Sequence, residues 1–341
     1  MGGSKVNGQG GTYGAQGTAA AGNAPGVRQG PVGWTDAAGN FWLFGGIGYD
    51  GSGVFYSNFS YLNDLWRYSA GQWTWMSGSD SSQGALGHGG AATYGTKGVP
   101  APGNTPGGRI NALSWADKSG NLWLYGGFGY GNGEGSFSDL WKFSAGEWTW
   151  VDGPNTPEQA VVYGTQGVPA PANTPGTQVG ASTWTDIPGN LWLLDADGAL
   201  WEYSAGNWTW ISGSPTGEKA VYGTQGVPAA GNTPGSRAYA FSWTDAAGDF
   251  WLFGGEGSGG SLSDIWRYSA GQWTWMGGPD VANQAGKYGT EGAPAPGNIP
   301  GARGSGAAWI DRSGNFWMFG GGGFDSAGTD GSLNDIWEYQ P

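Results

Sequence analysis

The chain has no cysteine and one histidine, His88. Disulfides, thiolate metal centres and cysteine nucleophiles are excluded, and the redox compartment is left open. A Ser–His–Asp set would need that histidine held in place, yet His88 lies in the Gly-rich stretch Gly84-Ala85-Leu86-Gly87-His88-Gly89-Gly90, where a solvated loop residue is expected. Positive charge is also scarce, with 13 Lys and Arg against 26 Asp and Glu and a net charge of −13. Nucleic acid needs a basic stripe, so no nucleic-acid partner is expected. No apolar run approaches the ~20 residues of a membrane-spanning helix, so no membrane insertion is expected. The start, Met1-Gly2-Gly3-Ser4-Lys5, lacks the apolar segment of a secretion signal.

What the chain has in excess is glycine, 73 residues, and tryptophan, 23 residues. The glycines follow no G-X-Y period, which excludes collagen. They separate short aromatic runs, as expected of many strands joined by tight turns. Tyr-Gly recurs at Tyr13, Tyr94, Tyr163, Tyr222 and Tyr288, each time opening a Pro/Gly-rich segment such as Val99-Pro100-Ala101-Pro102-Gly103-Asn104. Such a segment is neither helix nor central strand. It reads as a long loop.

Each loop leads into four short strands. The first starts at Arg28, Arg109, Gln178, Arg237 or Arg303 and ends at Trp34, Trp115, Trp184, Trp243 or Trp309. A turn of the type Asp36-Ala37-Ala38-Gly39-Asn40 follows, with hairpin chemistry. Its carboxylates are too few for a calcium cage. The second strand is Phe41-Trp42-Leu43-Phe44 and its copies, apolar on both faces and closed by Gly45-Gly46, Gly126-Gly127, Gly254-Gly255 or Gly320-Gly321. The third is Asp64-Leu65-Trp66-Arg67-Tyr68 and its copies; Ser-Ala-Gly turns the chain into a fourth, Trp73-Thr74-Trp75. Four antiparallel strands per repeat are a propeller signature. A β-helix would use shorter repeats.

The Gly-Gly pair, the Asp-Leu/Ile-Trp-x-Tyr/Phe third strand, the fourth-strand Trp and the first-strand Arg resemble Kelch repeats over nearly the whole chain. The resemblance implies an all-β, Kelch-like propeller of five blades, each a four-stranded antiparallel sheet. One domain is expected over residues 1–341, with blades at about 28–76, 109–151, 178–211, 237–276 and 303–339. Kelch propellers mostly act as binding modules. Some resemble galactose oxidase, whose copper needs His and Tyr ligands and a Tyr–Cys crosslink; one histidine and no cysteine do not allow that site. Neither a cofactor nor a metal is expected.

Every tryptophan falls on a repeated position, so packing explains these rings better than a private binding site. Arg28, Arg109, Arg237 and Arg303 occur in the units that also have Asp64, Asp139, Asp264 and Asp335. The third unit has Gln178 and Ala199 instead, and Leu194-Asp195 replaces Gly-Gly. This joint loss points to structural Arg–Asp pairs rather than a ring of anion-binding cations. The loops that vary in length lie on one face of the blades, and binding residues are commonly found on such loops. The expected ligand-contacting residues there are Tyr49, Asp50, Phe55, Tyr56, Phe59, Tyr61, Tyr130, Phe137 and Phe324.

The fifth unit stops at Ile336-Trp337-Glu338-Tyr339-Gln340-Pro341, without a fourth strand. Met1-Gly2-Gly3 aligns with Met276-Gly277-Gly278, one strand too late to supply it. A three-stranded blade, an upstream strand and a neighbouring subunit are all compatible with this. The expected function is a non-enzymatic scaffold that contacts a glycan or protein through its variable-loop face, bacterial, and extracellular or on the cell surface. The alternative is a structural subunit that self-associates through the blade 5 edge. A polysaccharide-active enzyme ranks third; Asp195 and Asp197 are the tight carboxylate pair outside the repeat, and a hairpin turn explains them better.

Overall fold

The structure is a computed structural model and describes residues 6–53, 60–81 and 90–341. All named elements are β-strands, with no helix among the described residues. They form a five-bladed β-propeller of small antiparallel sheets, with Arg28–Gln29 and Ile47–Gly48 of blade 1 as a separate two-stranded pair. By compactness the chain divides into two units. Residues 1–162 with 171–179 hold blades 1 and 2; residues 163–170 with 180–341 hold blades 3 to 5.

In blade 1 the strands run Val32–Thr35, Phe41–Phe44, Leu65–Ser69 and Gln72–Ser77, in spatial order. Blade 2 places Gly108–Ile110 and Leu113–Ala116 side by side on Leu122–Gly131, followed by Gly133–Ser144 and Glu147–Asp152. Blade 3 is the shortest: Ser182–Thr185, Leu191–Leu194, Leu200–Ser204 and Asn207–Ser212. Blade 4 repeats blade 2, with Arg237–Ala238 and Phe241–Thr244 on Phe250–Gly257, then Gly260–Ser269 and Gln272–Gly277. Blade 5 has Arg303–Gly304 and Ala307–Ile310 on Phe316–Phe324, then Asp330–Tyr339, with no further strand.

Two residues before each of Val32–Thr35, Leu113–Ala116, Ser182–Thr185, Phe241–Thr244 and Ala307–Ile310 the chain breaks at a residue with positive φ: Gly30, Asn111, Gly180, Tyr239 and Ser305. Within each unit these breaks are stitched together, Asn111 N donating to Gly30 O (3.1 Å), Tyr239 N to Gly180 O (2.7 Å) and Ser305 N to Tyr239 O (3.0 Å). At the third-to-fourth strand turn, Ala70-Gly71 both have positive φ, 48° and 80°, as a two-residue type I′ hairpin requires.

Neighbouring blades pack through their tryptophans. In the first unit Trp34 Nε1 donates to Trp123 O (3.1 Å), and Trp42, Phe44, Leu122, Leu124, Trp141 and Trp148 form one buried cluster. In the second, Trp184 stacks on Phe250 (centroids 5.4 Å apart) and Trp243 on Phe316 (5.3 Å).

The Pro/Gly-rich segments are more than connecting loops. In blades 1 to 4 the segment lies along the outer edge of its own blade's fourth strand. Gly17, Gly98, Gly167 and Gly226 donate N–H to Trp75 O, Trp150 O, Trp210 O and Trp275 O, all at 2.8 Å. Isolated bridges Ala20↔Trp73, Ala101↔Trp148 and Ala170↔Trp208 add to this. A sheet edge that would otherwise invite pairing is thereby covered. Thr74, Thr149, Thr209 and Thr274, on strands expected to have only one packed face, are buried as well, so both faces of the fourth strand are packed.

Candidate functional site

The repeated charged residues come together first. Arg109 lies in Gly108–Ile110 and Asp139 in Gly133–Ser144, 30 residues later, and both are fully buried. Arg109 Nη1 donates to Asp139 Oδ1 (2.6 Å) and Nη2 to Oδ2 (3.0 Å), a bidentate pair. Nη1 also reaches Gly126 O (2.7 Å) and Nε reaches Gly107 O (3.0 Å). Asp139 Oδ2 accepts from Trp141 Nε1 (2.7 Å) and Tyr94 Oη (2.9 Å). Arg28–Asp64, Arg237–Asp264 and Arg303–Asp335 repeat the bidentate pair.

This cluster explains the Gly-Gly pair. The first glycine turns its carbonyl to the guanidinium at φ 65° for Gly126, and a Cβ there would come within 2.8 Å of Phe137 O. Burial disfavours the charge on Arg109, but Asp139 outweighs it and the guanidinium is held above its usual range. Burial, together with the charge of Asp139, pushes the Tyr94 hydroxyl well up, so the ring stays neutral. Burial would raise Asp335 likewise, but hydrogen bonds from Arg303, Tyr288 and Trp337 hold it at about 2. The arginines are therefore tied inside their own blades.

Blade 3 carries no such pair. Gln178 donates to Pro175 O (2.5 Å). Asp195 instead starts a tight turn: Ala199 N donates to Oδ1 (2.8 Å) and Trp201 Nε1 to Oδ2 (3.1 Å). The first turn of blade 1 is built alike, Asn40 N donating to Asp36 Oδ1 (2.9 Å) and Trp42 Nε1 to Oδ2 (2.8 Å). The motif is Asp-x-x-Gly-x-x-Trp, and Asp195-x-x-Gly198-x-x-Trp201 is a further copy of it. That spacing was available in the sequence but hidden by reading Leu194-Asp195 as a lost Gly-Gly. Among the described residues no cation faces Asp195, and burial pushes its carboxyl up to about 6. The turn carboxylates elsewhere are saturated by backbone and indole donors, and no metal-binding group of three or more His, Cys, Asp or Glu occurs among the described residues.

The residues expected to contact ligand separate into three sets. Phe55, Tyr56 and Phe59 lie outside the described residues. Asp50, Tyr61 and Phe137 are buried. Asp50 Oδ1 accepts from Ser52 N (2.8 Å) and Oγ (2.5 Å), and Phe137 lies under the Arg109 guanidinium at 5.0 Å. Tyr49, Tyr130 and Phe324 are half-buried; Tyr49 lies against Gly8.

Tyr130 stands in a group that the sequence reading only partly saw. On Leu122–Gly131, Phe128 and Tyr130 share one face. Phe128 is flanked by Ile110 and Ser136, and Tyr130 by Gly108 and Glu134. Phe128 is 37% exposed. Its ring meets Tyr61 edge-on at 5.9 Å. Glu134 stands opposite Tyr130 in the strand register, and burial with the charge of Glu134 pushes the Tyr61 hydroxyl up. Phe128 had no distinguishing mark in the sequence, since it follows Gly-Gly in an ordinary hairpin. A separate polar cavity of 470 Å³ is lined by Gln16, Asn63, Ser79 and Asn104 among others, with no aromatic ring.

No protein-family model matches this chain, and no curated protein matches it. Among solved structures it is similar to one titled "Structure of YjhT", at 13% identity and a TM-score of 0.47, over 92% of this chain and 95% of that one.

Proposed function

We propose that this chain is a non-enzymatic, Kelch-like binding module, extracellular or at a cell surface, that holds a glycan on the blade 2 ribbon. The observation that carries this is the exposed ring of Phe128, edge-on to Tyr61 and on the same strand face as Tyr130, whose register partner is Glu134. An exposed aromatic face packs against the C–H face of a sugar ring, and a carboxylate accepts hydroxyl protons. The repeated charged residues support a structural rather than catalytic role, because they are engaged by partners within their blades. The test is a glycan array followed by titration calorimetry with the best hit. Phe128→Ala is expected to lower affinity at least tenfold with an unchanged melting temperature. A chain that retains no glycan, or a variant that binds as well as the parent, removes this reading.

A second reading, assembly through blade 5, is favoured by one observation. Trp309 is 41% exposed, whereas its counterparts Trp34, Trp115, Trp184 and Trp243 are at most 6% exposed. Phe319 (46%) and Ile336 (55%) extend the same apolar surface.

A further inference from the structure

Blade 5 also differs at its outer edge. In blades 1 to 4 the fourth strand lies between the third strand and the Pro/Gly-rich segment, and both neighbours make the same contacts to it. In blade 4, Trp266 pairs with Trp275, Arg267 with Thr274 and Tyr268 with Trp273. From the other side, Gly226 N donates to Trp275 O (2.8 Å) and Asn232 Nδ2 to Trp273 O (3.1 Å). The rings close the arrangement: Tyr268 lies 5.0 Å from Trp273, and Tyr222 lies 5.2 Å from Trp275.

Blade 5 keeps both walls. Asp330–Tyr339 pairs with Phe316–Phe324 on one side only. Tyr288-Gly289-Thr290-Glu291-Gly292 repeats the segment in sequence, and Asn298 stands ten residues after Tyr288, as Asn232 does after Tyr222. The segment is also folded in the same way. Lys287↔Ile299 bridges as Val221↔Thr233 does, and Asn298 Nδ2 donates to Ala293 O (3.2 Å) as Asn232 Nδ2 does to Val227 O (3.1 Å). Tyr288 donates to Asp335 and packs on Trp337 at 4.9 Å. Yet Tyr288 is 45% exposed where Tyr13 is 6%, and Tyr339 is 37% exposed where Tyr268 is 8%.

We infer that this edge is an acceptor for an extended peptide segment of the form Trp-x-Trp. Strand addition of this kind takes affinity from main-chain hydrogen bonds and specificity from alternate side chains. The register follows from blade 4: the second Trp lies opposite Trp337, the middle residue opposite Glu338 and the first Trp opposite Tyr339. The ring of the first Trp packs on Tyr339, and that of the second packs against Tyr288. One substitution sharpens the partner. Gln16, Gln166 and Gln225 donate to main-chain carbonyls just after the second Trp, and Lys97 pairs with Asp152, two residues after Trp150 (3.3 Å). Blade 5 has Glu291 there, a carboxylate with no proton to donate. The segment it fits therefore carries Lys or Arg two residues after the second Trp.

This deepens the assembly reading, but the two fail separately, because peptide capture probes the edge and self-association probes the broad apolar side. The test uses the 341-residue chain and a fluorescent peptide Gly-Gln-Trp-Thr-Trp-Met-Lys-Gly, read by polarisation and amide hydrogen exchange. Saturable one-to-one binding is expected, with slowed exchange over residues 336–340. Replacing both Trp by Ala is expected to abolish binding, and replacing Lys by Asp to weaken it at least fivefold. Glu291→Gln, an exposed change that leaves the fold intact, is expected to erase that Lys–Asp difference. Absence of binding, binding without protection at 336–340, or a Lys–Asp difference that survives Glu291→Gln would each overturn the inference.

Discussion

Asp195 shows how one side chain can replace a network. In the other blades the third-strand tryptophan donates to an aspartate paired with arginine; in blade 3 Trp201 donates to a turn carboxylate with no cation beside it. Burial raises that carboxyl from 3.8 to about 6, and the charge of nearby Asp197 adds to the effect. The folded state therefore holds the proton more tightly than the unfolded chain does. The resulting stability is fully present below about pH 4, is lost as pH rises to about 6, and changes no further above that. Relative to Asp195→Asn, the parent is expected to lose up to about 3 kcal/mol between pH 3.5 and 7, measured by urea unfolding. Parallel pH curves for parent and variant would show that the carboxylate is not desolvated. The turn was legible as a hairpin from its Asp and Gly; the cost of its charge was not, because burial depends on what the third and fourth strands place over it.

At the scale of the element, the informative unit is the blade with its own Pro/Gly-rich segment. The Arg–Asp pairs were readable because Arg, Asp and Gly-Gly are lost together in one repeat, and the pairing ties those three losses to one contact. Arg109→Met leaves Asp139 buried beside Tyr94 and Trp141 without a cation, which is expected to cost about 3–5 kcal/mol. Adding Asp139→Asn removes the charge but keeps an acceptor for the indole, so the double variant is expected to recover at least half of that loss in guanidinium unfolding. Equal losses in the single and double variants would mean the charge is not the cause. The outer segments were read as loops for a physical reason. Proline lacks an N–H, so such a segment makes isolated bridges rather than a ladder, and no alternation marks it as part of a sheet. Its hydrogen bonds to the fourth strand come from a glycine N–H and an asparagine amide fixed in the repeat.

For the whole molecule, the exposed apolar side chains of blade 5 bear on the assembly proposal. Contiguous exposed apolar surface favours association. Mass by light scattering is expected to rise above 35.1 kDa with concentration, and Phe319→Ser with Ile336→Ser to return it to that value. A monomer at every concentration would remove the assembly reading and leave the glycan and peptide proposals standing. The sequence by itself determined the repeat, the number of blades, the turns and the all-β class, but not that the first strand divides in two in blades 2, 4 and 5. Those signals lie within a few residues of one another, in the Asp-x-x-Gly-x-x-Trp turn, the Ala-Gly hairpin and the Trp-Thr-Trp alternation. Tertiary structure alone decided which aromatic rings are walls and which are surface. Phe137 and Phe128 look alike in the chain, yet one lies under Arg109 and the other faces solvent. That difference is made by partners far apart in sequence, such as Arg109 with Asp139 and Trp34 with Trp123, 89 residues away. A local pattern records which residues recur, and only packing records what each one touches.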